Sequence, residues 1–367
     1  MPLNAVPLNR FHNRALAAPP ARGLLRLLAI GIPAVILAVG CAQERAPEHY
    51  RFFALGTEIE LTVVERGRND PGYVADHIHR RLQVMEEAWH PDGNGELARL
   101  NRRLAAGESM EVSPELASLL ERGQSLETAS EGLFNPAIGG LVRLWGFVTD
   151  TTRPRSPPDE EAVRAKTASS PRMADLVIDG TRIGAANPAV EINLGGYAKG
   201  YAAAHALDQL REAGIEAAVF NLGGDLVTLG RPDGPRGRLW RIGVRDPRSG
   251  EVVASIQVDG GSAVFTSGDY ERGFEHDGEF YHHILDPRTG FPAGSVRSVT
   301  VVHDDPVLAD AAATALFVAG EEGWEGLARR LGVEDVLIIG HRGNAWMTAS
   351  MADRTMLEES ITEAVIR

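Results

Sequence analysis

The sequence predicts an α+β fold in which helices pack on a largely antiparallel sheet. Three observations point to it. Strand-like and helix-like runs are mixed along the chain, several strand-like runs follow one another in the second half, and no repeat of roughly 20–50 residues organises the sequence. No obvious linker divides the body, which favours one unit with two lobes over separable domains.

The elements follow in order. TEIELTVV, Thr57–Val64, alternates as a half-buried strand does. From Tyr73 to Trp89, Val74, Ile78, Leu82, Val84, Met85 and Ala88 recur at helical spacing. A loop of Pro, Gly, Asp and Asn (His90–Gly95) precedes a short helix reaching Asn101. Ser113 is suited to N-cap a helix with Leu116, Leu119, Leu120 and Leu126 on its apolar face and Gly132 beyond its end. Thr151–Pro171, rich in Pro, Thr and Ser, reads as an exposed excursion. Ala189–Asn193 reads as a strand, Gly196–Glu212 as a helix closed by Gly214, and Ala217–Asn221 as a strand. Strand-like runs follow at Trp240–Val244, Val252–Val258, Ala263–Thr266, Tyr281–Leu285 and Ser298–Val302. Val307–Ala319 reads as a helix, and Val336–Ile339 and Asn344–Ser350 as strands.

Composition excludes several functions. The first 40 residues carry four arginines (Arg10, Arg14, Arg22, Arg26) and no acid, so the remainder holds 33 basic against 50 acidic residues, a net −17. So acidic a body is a poor candidate for non-specific binding to nucleic acid phosphates, and equally poor as a polybasic binder of an anionic membrane surface. The single cysteine, Cys41, excludes a disulfide framework and a cysteine-rich zinc site. Leu24–Gly40 is apolar apart from Arg26, is interrupted by Pro33, and follows the arginine-bearing start. That is the layout of a secretory signal rather than a permanent span. Leu37-Ala38-Val39-Gly40-Cys41 resembles a bacterial lipobox, whose cysteine becomes a lipidated N-terminus. An uncleaved anchor that happens to end near a cysteine is the alternative. On either reading the body is tethered to a membrane outside the cytoplasm. The expected organisation is a signal peptide at 1–40, a tether at 41–52 and a single body at 53–367.

The chain holds only two lysines. Lys166 lies in a polar stretch, whereas Lys199 lies in EINLGGYAKGYAAAHA between glycines and an apolar helix. Where arginine is the default cation, a lysine there points to a need for a compact charge. Glycine-rich turns close three apolar runs: NLGGYAKG (193–200), NLGGDLV (221–227) and TSGDYERG (266–273). The first joins a lysine to helix-start amides, both suited to a phosphate. No GxxxxGK[ST] loop or GxGxxG fingerprint is present.

In HHILDPRTGFP (282–292), DPRTG reads as a tight turn. The two histidines before it point to opposite faces of an extended chain, so one can look into a cleft while the other is structural. The nearly all-apolar helix VLADAAATALFVAG contains Asp310 and Thr314 one turn apart on one face. A buried carboxylate needs a partner. A hard divalent cation would serve. So would backbone amides for Asp310, with Thr314 bonded to the carbonyl four residues earlier. Trp145, in LVRLWGF, is read as core.

Taken together, ALGTEIEL, GELARLN, SEGLFNPAIGGLVRLWGF, EINLGGYAKGYA, NLGGDLV, TSGDYER, HHILDPRTG and ADAAATALFVAG resemble the ApbE-type family of FAD:protein FMN transferases from about Phe53 to Thr348. The resemblance implies an ApbE-like fold, related to T-folds, around a flavin nucleotide cleft. It implies an enzyme, often a periplasmic lipoprotein, that splits FAD with Mg²⁺ and places FMN on a threonine of a target protein. Such targets include subunits of the Na⁺-pumping NADH:quinone reductase and of the Rnf complex. By position, Asp310 and Thr314 match the family's metal ligands, together with the carbonyls of Gly196 and Ala313. Lys199 matches its FAD-contacting lysine and His283 its proposed base. Leu55, Trp89, Leu133, Phe134, Asn135, Asn193 and Ile284 match positions that contact the nucleotide. The sequence departs from the family pattern where MGT becomes Leu55-Gly56-Thr57, FDP becomes Phe134-Asn135-Pro136, and DLGG becomes Asn193-Leu194-Gly195-Gly196. Two carboxylates are thereby replaced by amides. FMN transfer is the leading reading. FAD pyrophosphate hydrolysis and a non-catalytic flavin-binding lipoprotein are the alternatives.

Overall fold

A computed structural model describes residues 46–65, 67, 69–148, 156–246 and 250–367. The lipobox, Cys41 and the first part of the expected tether, residues 41–45, lie outside the described residues. Arg45–Arg367 forms one unit.

The first strands form a hairpin, β1 (Glu48–Ala54) and β2 (Thr57–Glu65), joined by Leu55 and Gly56 with φ of 55° and 71°. Positive φ at both turn residues matches the twist of the paired strands. β1 was hidden from the sequence reading, which gave residues up to 52 to the tether. Helices α1 (Pro71–Trp89) and α2 (Glu96–Ala105) follow, then β3 (Met110–Glu111) and α3 (Pro114–Ala129). Ser113 caps α3 by accepting from the Leu116 amide at 3.2 Å, as its position predicts. Then come α4 (Gly139–Leu144), α5 (Glu160–Ala168), β4 (Leu176–Asp179) and β5 (Arg182–Ala185). The excursion expected over Thr151–Pro171 therefore holds a helix. Its run EEAVRAKTA is made of helix formers that outweigh the flanking Pro and Ser, and Val163 is buried in an aromatic cluster.

The second half runs α6 (Ala198–Glu212), β6 (Ala217–Leu222), β7 (Asp225–Leu229), β8 (Trp240–Arg245), β9 (Val252–Val258) and β10 (Ala263–Gly268). It continues with β11 (Gly273–His276), β12 (Glu279–His282), β13 (Ser298–His303), α7 (Pro306–Leu331), β14 (Asp335–Ile339) and β15 (Asn344–Met347). Last come α8 (Ala349–Arg354), β16 (Thr355–Leu357) and β17 (Glu363–Ile366). The run expected as a strand at Ala189–Asn193 joins no sheet: it makes an isolated bridge from Glu191 to Ile138, and its Asn193 amide donates to the Pro136 carbonyl at 2.8 Å. Its neighbour is the loop after Pro136, and a proline cannot donate to a ladder. The run Tyr281–Leu285 leaves its strand after His282, and Asn344–Ser350 ends early where Thr348 caps α8.

Nine strands make the main sheet in the order β1-β2-β6-β7-β10-β13-β14-β15-β17. Every neighbouring pair is antiparallel save β15 with β17. Both faces are covered, and alternate residues show it. Phe265, Val301 and Ile338 point into the core with α6 and α7, while Val264, Val302 and Leu337 point to the opposite core under β8, β9 and α8. This is the helix-on-antiparallel-sheet arrangement that the sequence predicts.

Two local features place the site. α6 and α7 approach so closely at Gly200 that an added Cβ would lie 2.4 Å from the Pro306 carbonyl oxygen and 2.9 Å from Asp310 Cβ. Only glycine permits that contact. α7 itself breaks at Gly320 (φ 67°), beyond the turns that carry Asp310 and Thr314.

Candidate active site

One cavity gathers residues from most of the glycine-rich turns. Leu133, Phe134, Asn135, Asn193, Gly196, Lys199, His283, Ile284, Asp310 and Thr314 all line it. Three further predicted residues do not. Leu55 sits in the β1–β2 turn against the core, Trp89 is buried edge-on to Tyr201 at 5.3 Å, and Ala313 is buried in the core. Trp145 is also core: it donates from Nε1 to the Gly290 carbonyl at 2.9 Å and packs against Phe147, Tyr281 and Phe291.

Lys199 lies in the first turn of α6, and its Nζ pairs with Asp225 Oδ2 at the start of β7. Glu271 Oε2 lies 3.9 Å away on the far side. Asp225 is buried, and its Oδ1 accepts from the Thr266 amide at 2.9 Å, so both oxygens are engaged. Burial opposes the charge on Lys199, but Asp225, Glu271 and Asp310 together outweigh it and hold its pKa above the ordinary value.

Asp310 Oδ2 accepts from the Gly200 amide at 2.7 Å, so the carboxylate of α7 satisfies a free donor at the start of α6. Nothing among the described residues hydrogen-bonds its Oδ1. Thr314 Oγ1 lies 3.4 Å from the Asp310 carbonyl and 3.1 Å from Ser267 Oγ. The backbone bonds that the sequence allowed are thus present, yet both side chains line the cavity. Burial first, then the nearby charge of Asp225, pushes the Asp310 carboxyl well above the usual range. Glu271 is raised as well, by burial first and then by Asp225. The cavity holds three carboxylates (Asp225, Glu271, Asp310) against two cations (Lys199, Arg272). A partly engaged buried carboxylate, hydroxyls beside it and this deficit of positive charge fit a hard divalent cation at Asp310 and Thr314. Among the described residues no group of three or more His, Cys, Asp or Glu is placed to hold a metal, so such a site draws mostly on neutral oxygens.

The histidines divide as alternation predicts. His282 is buried; its Nε2 donates to the Ala293 carbonyl and its Nδ1 accepts from the Ile284 amide at 3.3 Å. With both nitrogens used and Phe317 edge-on, it is structural. His283 follows the end of β12 and lines the cavity. Its backbone amide and its Nδ1 both donate to the Arg272 carbonyl, at 3.1 and 3.2 Å. A proton on Nδ1 leaves the lone pair on Nε2. Burial first, then the Arg272 guanidinium, pushes its pKa down to about 3, so the ring is neutral.

The two amides replacing carboxylates are not equivalent. Asn193 Oδ1 accepts from the Gly195 amide at 2.8 Å, a bond that a carboxylate could also make. Asn135 Oδ1 accepts from Ala137, but its Nδ2 donates to the Pro171 carbonyl at 2.9 Å, which a carboxylate cannot do. Sequence reasoning missed Asp225, Glu271, Arg272, Thr266 and Ser267. All lie inside NLGGDLV or TSGDYERG, where the glycines drew attention away from the side chains beside them.

The cavity joins apolar walls (Ile138, Val142, Phe147, Leu285) to this charged end, and an α+β protein of this kind suits a ligand that is part ring and part anion. The chain belongs to the ApbE family, whose model matches residues 55–337. It is 44% identical over 310 residues to an FAD:protein FMN transferase of Rhodobacter capsulatus, covering 83% of this chain and 57% of that protein. An FAD:protein FMN transferase of Vibrio cholerae is 31% identical, over 80% of this chain and 87% of its own length. The ApbE protein of Thermotoga maritima superposes with a TM-score of 0.77 at 31% identity, covering 84% of this chain and 99% of its own. The Vibrio cholerae flavin transferase ApbE superposes with a TM-score of 0.73 at 28% identity, over 84% and 99%.

Proposed function

We infer that the protein transfers FMN from FAD to a threonine hydroxyl of a target protein, releasing AMP. One observation supports this most: a neutral imidazole, a paired ammonium and a partly free buried carboxylate line one cavity with apolar walls. Relatives and solved neighbours that carry the transferase name support it too.

The step is a single displacement. The threonine oxygen bonds to the FMN-side phosphorus while the bridging P–O bond to AMP breaks, and AMP leaves with that electron pair. The hydroxyl proton passes to His283 Nε2, which the Nδ1 bond to Arg272 leaves free to accept it. Lys199 offers positive charge at the α6 start, held in place by Asp225. Leu133, Phe134 and Ile284 supply apolar surface for the flavin or adenine ring. Asp310 and Thr314, with the carbonyl of Gly196, would hold Mg²⁺, which when bound neutralises charge on the phosphate oxygens.

The wider setting belongs to the same proposal. Cys41 carries a lipid that anchors the body on the periplasmic side of a bacterial membrane. Its targets are threonine-bearing subunits of the Rnf or Na⁺-pumping NADH:quinone reductase kind. The test is to incubate the purified protein with FAD, Mg²⁺ and a threonine-bearing acceptor domain, then look for flavin that stays on the acceptor after denaturation. Loss of all flavin on denaturation, in the presence of released AMP, would make the protein a hydrolase.

A further inference from the structure

The two cations of the cavity are not in the same state. Lys199 is committed to Asp225 and faces Glu271. Arg272, in the loop between β10 and β11, lines the same cavity, and among the described residues its guanidinium has no hydrogen-bond or ion-pair partner. Its backbone is not loose. The Arg272 carbonyl accepts both bonds from His283, so the two residues are tied together at 3.1 and 3.2 Å.

On the transfer reading above, we propose that Arg272 grips the non-bridging oxygens of the FMN-side phosphoryl group. A guanidinium presents a planar fork that meets two phosphate oxygens at once, whereas an ammonium acts as a point charge. Charge spreads over those oxygens as the phosphoryl group passes between donor and acceptor, so a fork there stabilises the transition state. The tie to His283 then has a purpose: the group that holds the phosphorus and the group that takes the hydroxyl proton share one anchor. Burial is the first reason that His283 is neutral before substrate arrives, and the nearby Arg272 adds to it. The guanidinium disfavours the imidazolium, and an anionic phosphate against Arg272 relieves that repulsion as the proton is transferred.

The experiment compares FMN with riboflavin, which differ by the phosphate alone. Flavin fluorescence gives the affinity of both for the full protein and for Arg272→Gln and Arg272→Lys. The unsubstituted protein should bind FMN more tightly than riboflavin. Arg272→Gln should weaken FMN by about 10- to 100-fold, the loss expected for a charge-assisted pair, and leave riboflavin unchanged. Arg272→Lys should fall between. Added guanidinium should restore part of the transfer rate of Arg272→Gln and none of that of the unsubstituted protein. Equal loss of FMN and riboflavin, or no loss of FMN, overturns the assignment. The binding comparison needs no turnover, so an unsubstituted protein that fails to label an acceptor would refute the transfer reading separately.

Discussion

Replacing Asp225 by Ala removes two acceptors at once: Oδ2, which pairs with Lys199, and Oδ1, which takes the Thr266 amide. Breaking a buried ion pair typically costs about 3–5 kcal/mol because it strands the other charge. Here the Lys199 side chain is 19% exposed and keeps Glu271 at 3.9 Å, so roughly 2–3 kcal/mol is the better figure for that half. The orphaned Thr266 amide adds about 1–2 kcal/mol. Asp225→Ala should therefore lose roughly 3–5 kcal/mol in urea unfolding. Asp225→Asn keeps an acceptor for Thr266 and should lose about 2 kcal/mol. Lys199→Met strands Asp225 in turn. The double variant Asp225→Asn, Lys199→Met leaves no unpaired charge, so its loss should fall short of the summed single losses by about 1–3 kcal/mol. Losses that add to within about 0.5 kcal/mol would show that the pair is not coupled and that Lys199 is held by something else.

The remaining predictions concern chemistry and location. His283→Asn should slow FMN transfer by about 10² to 10⁴ with FAD affinity nearly unchanged, whereas His282→Asn should chiefly lower stability. Because the folded state holds His283 near 3 against an ordinary 6.5, stability should be unaffected above 6.5 and decline as pH falls from there toward 3; His283→Asn should flatten part of that decline in unfolding titrations. Asp310→Ala should abolish turnover while the protein stays folded and leave FAD bound more loosely; near-normal activity at low Mg²⁺ would remove the metal assignment. Cys41→Ser should release the protein from membrane fractions while the purified body stays active.

What was legible in the sequence followed from local pattern. The division of labour between His282 and His283 needs only two-residue alternation along an extended chain. Asp310 and Thr314 on one helix face need only the 3.6-residue turn. Lys199 stood out because arginine serves almost everywhere else. What escaped depends on contacts distant in sequence. The Lys199–Asp225 pair spans 26 residues and joins a helix start to the start of a strand two elements on. Nothing local to Asp225 marks it as buried, and nothing local to Arg272 reveals that its carbonyl holds the imidazole. The short strands β4, β5 and β11 were missed for a related reason: runs of four residues carry too few alternations to declare themselves. Residues 160–168 were misread because flanking prolines dominated a segment whose interior favours a helix.

The central claim is that one displacement joins FMN to a threonine and frees AMP. The direct measurement is the ratio of AMP released to flavin bound covalently, taken over a time course with the acceptor domain and again with its threonine replaced by alanine. The account predicts one AMP per flavinylated acceptor throughout, and neither product when the threonine is absent. AMP released at an unchanged rate without the threonine would contradict it, because water would then be the acceptor.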